Sequence, residues 1–181
     1  MHERRFNREI KRLRDPERVA RMEVPRVVDL SLEGIPLSGS VLDIGSGSGL
    51  FAEDFVRRGL AVTGLDANPE MLPAARQFVP EADFREGVAE ALPFGDGSFD
   101  LVFMGLLLHE TDDISAALEE AHRVTSRRLA VLEWPKEQQE FGPPLDHRLD
   151  ADEVISLSKR TGFLNIEMMP LTHLVLYRMD R

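Results

Sequence analysis

VLDIGSGSGLFAE occupies residues 41–53 and sets the architecture of the chain. It begins with a short apolar run, interrupted only by Asp43, that predicts a buried β-strand. Gly45, Gly47 and Gly49 follow at alternate positions, and a helical pattern of apolar residues comes directly after them. A strand, a glycine-rich turn and a helix in this order open a nucleotide-binding β–α–β unit.

The glycine turn has the physical properties of a ligand cradle. Glycine lets the backbone turn tightly and approach a ligand without a Cβ in the way. The N-terminus of the following helix offers unpaired N–H groups to a polar or anionic group. The spacing is G-x-G-x-G, because Leu50 stands where the dinucleotide fingerprint has its third glycine. A turn that only packs a helix on a sheet is the alternative.

Asp43 lies inside the predicted strand, two residues before Gly45. A buried carboxylate is strongly destabilising unless it is paired or hydrogen-bonded. We therefore expect Asp43 to have a cationic or hydrogen-bonding partner near the glycine turn.

The run VLDIGSGSG resembles motif I of the class I S-adenosylmethionine (SAM)-dependent methyltransferases. The resemblance covers roughly residues 41–178. It implies an α/β fold with a Rossmann-like, seven-stranded, mostly parallel sheet, helices on both faces and an antiparallel last strand. It also implies SAM as cofactor and S-adenosyl-L-homocysteine as product, with Asp43 at the amino end of the methionine part. The resemblance assigns the cofactor turn to Gly45, Ser46, Gly47 and Gly49.

A second strand is predicted over residues 61–65 and ends at Asp66, 21 residues after the first glycine of the turn. That spacing is close to the one at which an acid accepts both hydroxyls of a ribose. Asn68-Pro69 predicts the cap of the next helix. This order resembles motif II of the family and implies cofactor contacts at Asp66, Ala67 and Met71. A plain helix-capping role for Asp66 is the alternative.

Residues 87–104, GVAEALPFGDGSFDLVFM, resemble the segment that holds the adenine ring in the family. An Asp side chain and the backbone of the following Ala hold the ring there, whereas Val88 takes the Asp position here. An apolar side chain cannot accept a hydrogen bond from the adenine amino group. The resemblance therefore implies adenine contacts from the backbone of Val88 and Ala89, or from Glu90.

A fourth strand is predicted over residues 99–104, and the segment from Gly105 to Glu110 follows its carboxyl end. Ligands of open α/β sheets bind beyond the carboxyl ends of the strands. We therefore expect Gly105 at the cofactor and His109 at the acceptor, because histidine has an intrinsic pKa suited to a general base. A surface or packing histidine at a helix entrance is the alternative.

A fifth strand ends in Glu133 and Trp134 near the same cleft, and Glu133 is expected to pack at the sheet end or to bond on the cofactor side. Residues 135–148 have no periodicity and contain three prolines. A loop of this length in a compact domain is often a lid or a binding loop.

One domain over residues 1–181 is expected from the length, with an N-terminal helical cap at 1–38 and a SAM-binding core at 39–181. The cap is predicted to contain an amphipathic helix over residues 4–14 and a second helix that starts at Asp15-Pro16 and breaks at Pro25.

The composition narrows the possible functions. The net charge is −10, with the first 28 residues at +4, so an acidic body argues against broad binding of nucleic acid. The absence of cysteine excludes disulfides, cysteine-based metal sites and a cysteine nucleophile, and no metal site is predicted. We find no apolar run long enough for a membrane span and no secretory signal, which favours a cytoplasmic protein.

The run LPFGDGSFDLVFMGLLLHE, residues 92–110, resembles the type 11 branch of the methyltransferases, which includes quinone-biosynthesis and other small-molecule enzymes. The resemblance implies methyl transfer to a small-molecule acceptor. Two alternatives stay open. One is a non-catalytic SAM-binding or interaction protein, and the other is an NAD-dependent oxidoreductase, against which Asp43 and the glycine spacing count.

Overall fold

A computed structural model describes residues 10–181 of the chain. These residues form one seven-stranded sheet with helices on both faces. The strands are β1 Ser40–Ile44, β2 Ala61–Asp66, β3 Asp83–Glu86, β4 Phe99–Gly105, β5 Thr125–Glu133, β6 Leu164–Pro170 and β7 Val175–Asp180. The α-helices are α1 Ile10–Leu13, α2 Pro16–Met22, α3 Val24–Leu32, α4 Leu50–Arg57, α5 Leu72–Phe78, α6 Ile114–Val124 and α7 Ala151–Thr161. Short 3-10 helices lie at Leu108–Glu110 and Leu145–His147.

The strand order is β3-β2-β1-β4-β5-β7-β6. The first five strands in this order are parallel, and β7 runs antiparallel to both β5 and β6. The predicted fold class, a Rossmann-like and mostly parallel sheet, is confirmed. The direction in which the chain adds strands reverses between β1 and β4, and such a switch point opens a ligand crevice at the carboxyl ends of the strands.

The central strands β1 and β4 are apolar on both faces because helices cover both sides of the sheet. Successive side chains of a strand point to opposite faces. Thus Val41 joins the core under α3 and α4 together with Phe55, whereas Leu42 joins the core under α6 and α7 together with Leu118. The burial of both faces explains why β1 and β4 read as nearly continuous apolar runs.

Two helix boundaries in the structure differ from those predicted from the sequence. The break between α2 and α3 lies at Glu23, which has a positive φ of 47°, two residues before Pro25. Helix α5 begins at Leu72 and not at Asn68-Pro69, because the Asn68 side chain accepts a hydrogen bond from Glu70 N at 3.1 Å and forms a separate turn. The helix predicted over residues 4–14 lies partly outside the described residues, and α1 is its described part.

The N-terminal helices are attached to the same sheet as the rest of the chain. Helix α3 packs on α4, and its buried Val27 and Val28 join the core on that face. Arg178 of β7 donates to Leu30 O at 3.0 Å and forms an ion pair with Glu33 at 2.6 Å. These contacts hold α3 across the sheet and leave α1 and α2 near the carboxyl ends of the strands.

Gly64→Ala should destabilise the fold by overpacking. A Cβ at Gly64, in β2, would overlap the ring of Phe84 from the neighbouring strand. Forced overpacking of a core typically costs about 1–3 kcal/mol. We expect the Tm from a thermal melt to fall by several degrees, whereas Gly95→Ala, where a Cβ meets only Ser98 Oγ at 3.4 Å, should stay near wild type. Equal Tm values for the two variants would contradict this packing.

Candidate active site

A cavity of about 1400 Å³ opens at the carboxyl ends of β1, β2, β4 and β5. Small-molecule sites usually have volumes of about 300–1,000 Å³, so this cavity has room for a cofactor and a second ligand. Ten of the residues predicted from the sequence line it: Gly45, Gly47, Asp66, Ala67, Met71, Val88, Ala89, Glu90, Gly105 and His109. Three others, Asp43, Ser46 and Gly49, are buried behind its wall.

The glycine turn is tied to the end of β2. The N–H groups of Gly45 and Ser46 both donate to Leu65 O, at 2.7 and 3.0 Å. Gly47, with φ 52°, lines the cavity, and the nearest atom to a Cβ there would be a Leu13 methyl at 3.5 Å. Gly49, with φ 75°, instead begins α4 in a place where a Cβ would press on Val79. Gly47 is therefore the part of the turn that a ligand can approach, and Gly49 serves packing.

Asp66 joins the glycine turn to the following turn. Its Oδ2 accepts from Gly47 N at 2.7 Å, and its Oδ1 accepts from Asn68 N at 2.8 Å. Burial raises the pKa of this carboxyl above its ordinary value, and the two N–H bonds partly offset that effect. Since a carboxylate has about four lone-pair sites, Asp66 keeps acceptor capacity toward the cavity, where two hydroxyls of a ribose would fit.

Asp43 has a hydrogen-bonding partner, as expected, and this partner is a backbone N–H group. Its side chain is 2% exposed and accepts from Ala52 N in the first turn of α4. Its Oδ2 has no hydrogen-bond partner among the described residues. Burial, together with the nearby charge of Asp66, raises the pKa of Asp43 to about 8. The unpartnered oxygen is an acceptor that a cationic group near the turn would satisfy.

The wall predicted to hold adenine consists of Gly87 to Glu90. Val88 is exposed at the cavity, and its backbone O accepts from Ala91 N at 3.3 Å. Glu90 Oε1 accepts from Asp112 N at 2.9 Å, which ties this wall to the loop that follows β4. The Val88 side chain thus offers an apolar surface, and one oxygen of Glu90 is already engaged.

His109 lies on the short 3-10 helix after β4, where the sequence placed it. Its Nδ1 is 2.7 Å from Glu133 Oε2, and its backbone N donates to Glu133 Oε1 at 3.2 Å. The side chain is 8% exposed and lines the cavity. Burial lowers the pKa of His109, but the charge and hydrogen bond of Glu133 and the charge of Glu110 raise it by more. The pKa of His109 therefore lies above its ordinary value.

The loop over residues 135–148 forms the opposite wall, and sequence reasoning missed the residue that organises it. Arg148 is 5% exposed and donates to backbone carbonyls within its own loop. Those carbonyls belong to Pro135, Glu137, Phe141 and Pro143. Arginine rarely becomes this buried without partners, but its partners here are backbone atoms, for which the sequence carries no signal. A lid motion of this loop stays a prediction.

The remaining walls are apolar and aromatic with a cationic edge. Trp134 and Phe141 have ring centroids 6.4 Å apart, and the guanidinium of Arg21 lies 4.6 Å from the Phe141 ring centroid. Arg21 and Met22 belong to α2, so the N-terminal helices close this side of the cavity. Helix α2 therefore contributes directly to the site.

The described residues 10–181 include no group of three or more His, Asp or Glu side chains that could hold a metal ion. Within the same residues, none of the helices has both the length and the apolar character needed to cross a membrane.

Known proteins share the motifs and the fold. The family model of the type 11 methyltransferase domain matches residues 42–128. A demethylmenaquinone methyltransferase of Chlorobaculum parvum is 40% identical over 85 residues, which cover 46% of this chain and 35% of that protein. A malonyl-acyl-carrier-protein O-methyltransferase of Erwinia billingiae is 43% identical over 92 residues, which cover 51% of this chain and 37% of that protein.

The structural likeness extends over nearly the whole chain. A SAM-dependent methyltransferase from Aquifex aeolicus has a TM-score of 0.82 at 24% identity and covers 94% of this chain and 96% of its own. The chain spans little more than a third of the length of the two curated relatives. The sheet, the glycine turn and the Asp66 carboxylate at the end of β2 are together characteristic of the class I SAM-dependent methyltransferases. Residues 42–128, just under half of the chain, match the type 11 branch of that class, in which the cofactor is SAM.

The residues of the cavity fit SAM. Gly47 leaves its Cβ position open toward the cavity, and Asp66 keeps acceptor capacity for hydroxyl groups. Behind the cavity wall, Asp43 Oδ2 is a buried acceptor without a hydrogen-bond partner among the described residues, and an ammonium group at the glycine turn would satisfy such an acceptor.

Asp43→Asn should flatten the pH dependence of stability. The pKa of Asp43 is about 8 in the folded chain, against an ordinary value of 3.8, so the folded state holds this proton more tightly. The contribution of this proton to folding stability is complete below the lower pKa and is lost as the pH rises toward the higher pKa. The loss amounts to at most about 1.4 kcal/mol per pH unit.

Thermal melts of the cofactor-free protein between about pH 5 and about pH 8 test this linkage. The Tm of the wild type should fall with pH relative to that of Asp43→Asn. Asp83→Asn, at an exposed position of β3, is the matched control and should follow the wild type. Parallel curves for wild type and Asp43→Asn would contradict the assigned pKa shift.

Proposed function

We propose that this chain transfers the methyl group of SAM to a small-molecule acceptor bound in the same cavity. The observation that carries the proposal is the placement of two kinds of group in one cavity. Asp66 and Gly47 line it at the end of β2 and after β1, and His109 lines it after β4. The net charge of −10 and the concave shape of the site favour a small acceptor over a nucleic acid.

The cofactor would lie across the switch point of the sheet. The Asp66 carboxylate would accept the ribose hydroxyls, and backbone groups of Val88 and Ala89 would face the adenine. The methionine part would lie at the glycine turn, with its ammonium group toward Asp43. The proposed cofactor residues are Asp43, Gly45, Ser46, Gly47, Gly49, Asp66, Ala67, Met71, Val88, Ala89, Glu90 and Gly105.

The acceptor would occupy the part of the cavity between His109 and the Trp134–Phe141 wall. Names of the matched relatives refer to demethylmenaquinone in one case and to a malonyl group on acyl-carrier protein in the other. The apolar and aromatic lining supports an acceptor with an apolar body. We also propose that residues 1–181 act as one domain in which residues 1–38 cap this end of the core.

Methyl transfer from SAM requires mainly that the protein align the acceptor with the methyl group. The sulfonium of SAM is already positive, so methyl transfer depends on a well-oriented nucleophile in a site that excludes water. His109 would take the proton of the acceptor as the methyl arrives. The match of residues 42–128 to the methyltransferase domain and the G-x-G-x-G spacing count against the NAD-dependent alternative. A non-catalytic SAM-binding protein is the remaining alternative, and methyl turnover against a metabolite panel separates it from the enzyme.

Asp66→Ala should weaken SAM and S-adenosyl-L-homocysteine together. A hydrogen bond to a charged group is worth roughly 1.5–3 kcal/mol, which corresponds to about tenfold or more in Kd. Isothermal titration calorimetry measures both ligands. Asp83→Ala, at the exposed first position of β3, should bind like wild type. Wild-type affinity in Asp66→Ala would remove the ribose assignment, and no binding to the wild type would overturn the proposed function.

His109→Ala should lower turnover with little effect on cofactor binding. General-base help is typically worth about 10²–10⁴-fold, so we expect turnover to fall by about tenfold or more and SAM affinity to stay within about threefold. Formation of S-adenosyl-L-homocysteine with a panel of hydroxylated and amine acceptors is the assay. His122→Ala, on α6 beside Phe163, is the matched control.

The pH profile adds a second readout to the same variant. Because the pKa of His109 lies above its ordinary value, wild-type turnover should rise with pH through a midpoint above about 6.5. The rise should be absent in His109→Ala. Unchanged turnover in that variant would remove His109 from the reaction.

A further inference from the structure

Glu133 connects the ends of two neighbouring strands at the acceptor side of the cavity. It is the last residue of β5 and is 1% exposed. Its carboxylate accepts from three groups: His109 Nδ1 at 2.7 Å, His109 N at 3.2 Å and Trp134 N at 3.3 Å. Such a fully buried carboxylate is costly unless it is bonded in this way, so its position and that of His109 are coupled.

The pairing determines which nitrogen of His109 carries the proton. An ionised carboxylate only accepts hydrogen bonds, so His109 Nδ1 must be the N–H in the neutral ring. The lone pair then resides on Nε2. Within residues 10–181, the nearest acidic oxygen to Nε2 is Glu110 Oε1 at 3.8 Å, which is beyond hydrogen-bond distance. Since His109 lines the cavity, Nε2 is the nitrogen that a bound acceptor can meet.

We propose that Glu133 is the positioning residue that makes His109 a general base, and that the acceptor's nucleophilic oxygen or nitrogen carries a proton. This inference rests on the proposed methyl transfer and names the chemical class of its acceptor. Glu133 orients the ring, selects the Nδ1–H tautomer and stabilises the imidazolium that forms.

The reaction step balances without any further reactant. A lone pair of the acceptor oxygen or nitrogen forms a bond to the methyl carbon of SAM, and the carbon–sulfur bond breaks. The electron pair of that bond goes to sulfur and leaves a neutral thioether. The acceptor proton goes to His109 Nε2, and the imidazolium returns it to water after the products leave.

The groups around His109 have opposing effects on its pKa. Glu133 and Glu110 favour the imidazolium, while burial and the charge of Arg148 oppose it. Arg18 lies near Glu110 on the α2 side. Tyr177 lies behind Glu133, and burial together with that carboxylate raises the pKa of Tyr177 to about 12. Tyr177 therefore stays neutral, and Glu133 is the group that sets the state of Nδ1.

Nuclear magnetic resonance of the histidine nitrogens tests the pair without any acceptor or cofactor. In the wild type we expect the Nδ1–H tautomer at His109. Glu133→Gln should lower the pKa of His109 by about one unit or more, equivalent to about tenfold in its protonation equilibrium. Glu110→Gln, whose carboxylate is farther from the ring, should lower it less. An Nε2–H tautomer in the wild type, or an unchanged pKa in Glu133→Gln, would overturn the proposal.

Turnover then distinguishes positioning from a purely structural role. Glu133→Gln should keep SAM affinity within about threefold, lower kcat by about tenfold or more and move the pH midpoint downward. The double variant with His109→Ala should lose no more than His109→Ala alone, because the two residues act as a unit. Additive losses would overturn the proposal. A wild type that binds SAM but methylates no acceptor overturns the proposed function instead, and the nitrogen spectra still decide whether Glu133 sets the tautomer.

Discussion

The carboxylate of Asp66 is the interaction on which the glycine-turn side of the cavity depends. It accepts one N–H from the glycine turn and one from the turn after β2, and so links these two loops. Leu65 O, one residue earlier, accepts two more N–H groups of the glycine turn. The end of β2 therefore shapes the turn that follows β1, because groups at the end of one strand bond to the loop of its neighbour.

On the His109 side of the cavity, two other buried polar side chains satisfy backbone groups. Arg148 draws four carbonyls of the loop over residues 135–148 around its guanidinium. Glu133 accepts backbone N–H groups from His109 and Trp134. Both segments are thus held by one buried polar side chain each, since irregular backbone cannot satisfy its own polar groups as helices and strands do.

Much of the fold could be read from local patterns, and the exceptions have physical causes. The apolar runs of β1 and β4 and the glycine-to-helix transition at Leu50 appear where the sequence indicated. The start of α5 was misplaced because Asn68 closes its own turn with Glu70, which competes with helix initiation. The N-terminal helices were recognised, but their position over the cavity depends on the packing of α3 on α4.

The amino-acid sequence was sufficient to determine the alternation of strands and helices, the glycine turn and the acid at the end of β2. These features depend on local residue spacing and on the conformational preferences of the backbone. Tertiary structure alone placed Glu133 against His109, since the two lie 24 residues apart and meet only because β4 and β5 are neighbours. It also gave Asp43 the N–H of Ala52 as a partner, and Arg148 its carbonyls. Such partners are backbone atoms, which every residue carries alike, and their identity emerges only when the sheet brings the loops together.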